Sequence, residues 1–224
     1  MIKDLETITN WAYQWKMVFN PDITKQAIEV IFSCKKKSID HPELVFNGIP
    51  VARKPFTKHL GVYLDSKLNF SKHIKEKVAK AMKGITLLRY LSKYVDRNVL
   101  SLSYKMYIRP HLDYGDVLYH NQRADLMDLV ERVQYKAALI ISGCWQGTSR
   151  VKLYDELGWE SLSDRRWLRR LTIFYKIKNG LAPSYLIDHI PKRNAINMVL
   201  RNQNKIRPLI RTARYENSFF FPSL

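Results

Sequence analysis

The sequence predicts an α+β protein in which helices outweigh strands. A small region of one helix and short antiparallel strands should come first, followed by a mostly α-helical remainder. Two observations carry this. Apolar residues recur every three or four positions up to Trp15, alternate every second position in stretches between residues 27 and 65, and return to helical spacing after Ser66. Asn47-Gly48, set between apolar pairs, is a strong local hairpin signal.

Each element follows from its own residues. Leu5, Ile8, Ala12 and Trp15 mark a helix over 3–17, stopped by Asn20-Pro21. Ile28, Val30 and Phe32 form one face of a strand. Leu44-Val45-Phe46 and Ile49-Pro50-Val51 pair across the Asn47-Gly48 turn, and Leu60, Val62 and Leu64 alternate in a strand from Lys58 to Asp65. Gly61 there leaves room for close backbone approach. Ile74, Val78, Ala81, Ile85, Leu88 and Leu91 draw one apolar stripe along a helix, with Lys72, Lys75, Lys80 and Lys83 mostly off it. Asp96 caps a second helix with apolar Val99, Leu102 and Met106, closed by Pro110. A third runs from Ala124 to Ser142 and ends on Gly143. Ser149 opens a short helix ending at Gly158. Another follows from Ser163 to Lys178 with Trp167, Leu171 and Phe174 inside, and stops at Gly180. Pro183 opens a further turn. After Pro191 the pattern fades into an Asn- and Arg-rich, weakly ordered tail. The organisation expected is 1–65, 66–122, 123–190 and 191–224.

The 224 residues carry a net charge of +18. Residues 66–110 hold eleven basic and two acidic side chains, and residues 150–224 fifteen and six, while 111–149 are slightly acidic. Two cationic blocks flanking a neutral helix are the footprint of a polyanion binder, because such a field repels itself until an anion neutralises it. No apolar run approaches the ~20 residues of a membrane helix, so no membrane partner is expected. Cys34 and Cys144 cannot build a disulfide framework or a four-thiolate zinc site, and an intracellular setting, nucleus or cytoplasm, is expected.

The sequence offers no phosphate loop, nucleophile elbow or metal-ligand spacing. His59, His73 and His111 read as packing or hydrogen-bonded groups. Asp113-Tyr114-Gly115-Asp116 approaches a carboxylate pair, but a two-metal centre needs acids that jointly hold ions about 3.5–4 Å apart. With no third acid nearby, turn and capping chemistry is the reading. Tyr90, Tyr94, Tyr104 and Tyr107 are expected in core packing.

One ordered run of motifs spans nearly the whole chain. It begins with Asp4-Leu5, Trp11-Ala12, Trp15-Lys16-Met17 and Phe19-Asn20, then Lys25, Val30-Ile31-Phe32-Ser33 and Lys58-His59-Leu60-Gly61-Val62-Tyr63-Leu64-Asp65. Leu68, Phe70, His73-Ile74, Tyr107-Ile108-Arg109-Pro110 and Leu112-Asp113-Tyr114-Gly115 follow. Gln134, Ala137, Gly147-Thr148-Ser149-Arg150, Leu153-Tyr154, Glu156-Leu157-Gly158, Leu162, Arg165-Arg166, Phe174-Tyr175-Lys176-Ile177 and Ala182-Pro183 complete it. In this order the motifs resemble the end of the palm, the thumb and the post-thumb region of reverse transcriptases of non-LTR (LINE-like, jockey-type) retrotransposons.

The resemblance implies a part of an RNA-directed DNA polymerase. Residues 1–65 would be the end of the palm, with His59, Leu60 and Gly61 similar to its primer grip and Lys25 near the lysine proposed to assist pyrophosphate departure. Residues 66–122 would be the thumb and 123–190 the post-thumb region. The thumb must hold a template–primer duplex without reading its sequence, a task for lysine and arginine on phosphates. The nucleic-acid-binding residues expected are Lys72, Lys75, Lys80, Lys83, Arg89, Lys93 and Arg109, with Arg165, Arg166, Arg169 and Arg170 in the second block. The family's catalytic aspartates belong upstream of the first helix, so the chain is expected to be a fragment without catalytic or metal-binding residues, inactive alone. Mg2+ is expected for the full-length parent, and the missing upstream polymerase segment is a partner this reading allows. The alternative is a domesticated helical nucleic-acid-binding or adaptor protein with no polymerase role.

Overall fold

The computed structural model describes residues 2–19, 27–33, 42–119 and 122–190. The fold is α+β and mostly helical, as the sequence predicts. The chain divides into two compact units, residues 1–73 and 74–224. Lys25 and the tail after residue 190 lie outside the described residues.

Among its described residues the first unit holds α1 (Ile2–Gln14) and six short strands in three separate pairs. β1 (Ile28–Glu29) runs parallel to β4 (Ala52–Arg53), and an ion pair of 2.8 Å from Arg53 to Glu29 seals that contact. The expected strand does not continue through Val30 to Phe32, whose ring is half exposed. Two ladder positions give the segment no sheet face to bury.

β2 (Val45–Phe46) and β3 (Ile49–Pro50) form the expected hairpin, with Asn47 and Gly48 both at positive φ, 52° and 76°. That backbone matches the natural twist of the strands it joins. The stretch expected as one strand from Lys58 to Asp65 is instead part of a second hairpin. β5 (Phe56–His59) turns at Leu60-Gly61, φ 45° and 80°, into β6 (Val62–Asp65). Its alternation belongs to two antiparallel strands, which periodicity alone cannot distinguish from one.

The second unit takes in most of α2 (Ser71–Leu91), whose Ile74, Ala81, Ile85 and Leu88 are buried as the stripe requires. Gly84 also faces inward: a Cβ built on it would lie 2.7 Å from Cγ1 of Ile108, so glycine sets how closely the two backbones approach. Asp96 caps α3 (Arg97–Ser103), its carboxylate accepting the Val99 N–H at 3.1 Å. From there expectation and structure part. The expected apolar positions Val99, Leu102 and Met106 are exposed, and the buried ones are Leu100, Tyr104, Ile108 and Leu112.

The physical reason is a π-helical turn, Tyr104–Ile108, ahead of α4 (Arg109–Asp113). Buried residues four apart drift by about 40° per step around an α-helix, and a turn that winds less per residue takes up the drift. The same turn accommodates Pro110, which lacks an N–H and would crowd the preceding turn of a regular helix. Pro110 sits in the first turn of α4 and does not end the helical path.

α5 (Ala124–Ser142) packs against α3, α6 (Arg150–Leu157) and α7 (Leu162–Lys178). It buries Leu126, Val130, Val133, Ala137, Ala138 and Ile141. Gly143 and Gly158 end α5 and α6 in left-handed conformation, as expected. Ser149 stands at the N-cap of α6 but makes no side-chain capping bond. One polar chain crosses this core: the Tyr104 hydroxyl donates to Gln134 at 2.8 Å, and the Gln134 amide donates to the Glu160 carbonyl at 2.8 Å. Tyr104 also stacks on Trp159 with ring centroids 4.4 Å apart. Burial pushes the Tyr104 phenol well above its ordinary value, so it stays a neutral donor. Tyr90, Tyr94 and Tyr107, expected alongside it, are instead exposed. Pro183 introduces a 3-10 turn, Ser184–His189.

Candidate nucleic-acid interface

A helix that buries one stripe must show the other to water, and α2 shows lysine. Opposite Ile74, Ala81 and Ile85 stand Lys75, Lys80 and Lys83, all exposed, with Glu76 the single acid in the helix. Among the described residues these three lysines have no ion-pair partner. Arg89 and Lys93, at and beyond the C-terminal end, are exposed as well. An uncompensated row of ammonium groups on a rigid helix recognises a regularly spaced anion without reading bases.

Lys72 behaves differently. Its Nζ lies 3.2 Å from the centroid of Phe56 and 5.1 Å from that of Tyr63, so the charge rests on the rings of the β5–β6 hairpin. His73 beside it is fully buried, and its Nδ1 accepts the Tyr63 N–H at 3.4 Å, a packing histidine as expected. His59, Leu60 and Gly61 lie together at the hairpin tip. His59 is exposed, and Leu60 is 80% exposed despite its positive φ.

The second group of expected phosphate binders faces inward. Arg166 and Arg170 are 4% and 1% exposed, which leaves no open guanidinium for a phosphate. Helical spacing explains why: they fall on the same face of α7 as Leu162 and Ile177, in place of the expected Trp167, Leu171 and Phe174. Arg169 donates to Asp113 at 2.6 Å and to Asp116 at 2.5 Å, Arg165 reaches Asp113 at 3.4 Å, and Arg109 reaches it at 3.7 Å. The Asp113-x-x-Asp116 pair thus belongs to an arginine cluster joining α4 to α7, not to simple turn chemistry. Burial pushes the Asp116 carboxyl above its usual range, with Arg169 pulling the other way. Burial works against the charge of Arg169, but the Asp113 hydrogen bond and both carboxylates outweigh it and hold it charged. Beyond the Arg109–Asp113 pair, four apart on one helix, the cluster leaves no signal in sequence spacing, since Arg165 and Arg169 lie 52 to 56 residues from their carboxylates.

Sequence reasoning also passes over a cationic groove in the second unit. It has a volume of about 720 Å³ and lies between the end of α2, α5 and the 143–150 segment. Arg89 is among the expected binders; Arg132, Lys136 and Arg150 beside it are not. A signal is present in Arg132 and Lys136, four apart on α5 and so on one face. No helix among the described residues is long and apolar enough to cross a membrane.

The second unit thus carries two cationic surfaces, the lysine face of α2 and the groove. The chain is 28% identical over 153 residues to the probable RNA-directed DNA polymerase from transposon X-element of Drosophila melanogaster, covering 66% of this chain and 16% of that protein. It is 28% identical over 209 residues to the RNA-directed DNA polymerase from mobile element jockey of the same organism, covering 91% of this chain and 22% of that protein. The chain therefore resembles jockey-type non-LTR retrotransposon reverse transcriptases along most of its length, and spans about a fifth of the curated relatives it matches. No protein-family model and no solved structure matches it.

Proposed function

We propose that this chain is the duplex-holding part of an RNA-directed DNA polymerase of a non-LTR retrotransposon, its residues 66–122 forming a thumb. The single observation that carries this is the face of α2, where Lys75, Lys80 and Lys83 stand exposed and uncompensated along a helix anchored by a buried stripe. A polymerase must grip every sequence it copies equally, and phosphate contacts from lysine do that. The exposed His59-Leu60-Gly61 tip is a small, accessible backbone turn suited to a primer end.

The catalytic ions of such an enzyme would be Mg2+, and among the described residues the Asp113 and Asp116 pair does not fit them. Asp113 and Asp116 are both engaged by Arg169, and Asp113 also by Arg165, so their oxygens already face positive charge. Under this reading the chain contributes grip. Its partners under this reading are a template–primer duplex and the rest of the polymerase.

Titrating the chain into a fluorescent RNA–DNA hybrid should show affinity falling steeply with salt. Replacing Lys75, Lys80 and Lys83 by alanine should flatten the salt slope by up to about 0.9 for each phosphate the lysines no longer neutralise. Equal slopes for the two proteins would sink the proposal, as would primer extension by the chain alone with magnesium and nucleotides.

A further inference from the structure

The groove beside the 143–150 segment has a second property besides charge. Trp145, between the groove-lining Cys144 and Gln146, is 89% exposed. Its loop is held in place. The Tyr135 hydroxyl on α5 donates to the Thr148 carbonyl at 2.9 Å and accepts the Gly147 N–H at 3.0 Å. The Trp145 carbonyl in turn accepts the Thr148 hydroxyl at 2.8 Å and the Thr148 N–H at 3.2 Å. A full indole is thus presented to water on a pinned loop at the rim of a cationic groove.

The charges in the groove do not cancel. Arg132 and Arg150 share one carboxylate, Asp128, at 2.6 and 3.0 Å, while Arg89 and Lys136 have no ion-pair partner among the described residues. The Arg150 guanidinium stands 5.5 Å from the centroid of Tyr135, the ring that also anchors the loop. Four cations against that one acid give the groove a net positive field, concentrated by its concave walls.

Cations that follow a backbone, beside an exposed aromatic face, are the two parts of a single-strand site. A duplex keeps its bases stacked on one another and offers none to an indole, so Trp145 adds nothing to duplex binding. We infer that this groove binds an unpaired nucleic-acid strand, with Trp145 stacking on a base and Arg89, Lys136, Arg132 and Arg150 facing the phosphates. The site is separate in residues and in ligand from the duplex-holding face proposed for Lys75, Lys80 and Lys83.

The test compares unpaired and paired ligands across variants of the full chain. Anisotropy is read with U20 and dT20 as unpaired strands, one arm for each sugar, and with a 20-base-pair RNA–DNA hybrid. Trp145→Ala should weaken binding to at least one unpaired strand by about five- to tenfold or more, at low and high salt alike, because stacking is not ionic. Trp145→Phe should recover much of that loss. Lys136→Ala should weaken the same strand and lower its salt slope by up to about 0.7. Both groove positions are exposed, so a thermal melt of each variant should match that of the parent chain, and the hybrid should bind Trp145→Ala and the parent alike. The Lys75, Lys80 and Lys83 triple variant should show the reverse preference, losing the hybrid first. Unchanged single-strand affinity in both Trp145→Ala and Lys136→Ala overturns the inference, as does failure of the parent chain to bind either strand. Absence of hybrid binding in the parent with single-strand binding retained overturns only the duplex reading and supports the groove.

Discussion

The two units of this protein use the same alphabet of turns and apolar residues to very different effect. The first has correct hairpin turns but, among its described residues, strands of two to four residues in three disconnected pairs. Its buried apolar residues among those described are Ala12, Leu44 and Phe70, while Trp11, Tyr13, Trp15 and Val18 of the α1 region are exposed. The second buries long side chains on every major helix and threads a hydrogen-bonded chain and an arginine cluster through the result. A turn is satisfied by two or four residues, whereas a sheet is stable only when three or more strands share a face. Helices carry their own backbone hydrogen bonds and need only match stripes.

Three tests put that contrast at risk. Asp113→Ala removes the carboxylate that Arg109, Arg165 and Arg169 share, leaving Arg169 with Asp116 and Arg165 with Glu160 at 3.7 Å. Breaking such a pair from one side costs up to about 3 kcal/mol, so the urea midpoint of the second unit should fall markedly. A shift within error would mean that apolar stripes alone hold α4 to α7.

A smaller effect is expected at Gly84. Alanine there improves helix propensity by about 1 kcal/mol but overfills the contact with Ile108 at a cost of about 1–3 kcal/mol, for a net loss of about 1 kcal/mol. Adding Ile108→Ala removes the crowding Cγ1, so the pair should destabilise by less than the sum of the singles. Strict additivity would show that close approach at Gly84 is not the cause.

The most local effect belongs to the first unit. Gly48→Ala forces a side chain onto a positive φ and should cost about 1 kcal/mol, but only locally. Hydrogen exchange should quicken at the Val51 amide, which closes the hairpin on the Leu44 carbonyl, and stay unchanged in α5. Faster exchange in both units would mean that they unfold as one.

Much of the fold is legible because it is written locally. Asp96, Gly143 and Gly158 mark helix ends wherever they occur, and the stripe of α2 announces both its buried face and its cationic one. Legibility fails where a local rule is overridden. Pro110 reads as a stop, yet the π turn ahead of it lets the helical path continue and turns Leu100, Tyr104 and Ile108 inward in place of Val99, Leu102 and Met106. Leu60-Gly61 reads as strand because both arms of its hairpin alternate in phase. The candidate site divides the same way: Lys75, Lys80 and Lys83 are visible by spacing, whereas the groove draws on residues from Arg89 to Arg150.

Mostly helical character, turn and cap positions, and the amount of positive charge were all fixed in the linear order of residues, because propensity and capping depend on neighbours within a turn or two and net charge on composition alone. Which of those charges face a ligand was settled by folding. The four arginines of α7 look as available as the lysines of α2, yet Asp113 and Asp116, more than fifty residues earlier, draw Arg169 and Arg165 inward while Arg166 and Arg170 lie on the buried face. A long side chain carries the same charge on either side of its helix, and packing alone determines whether that charge meets water or carboxylate.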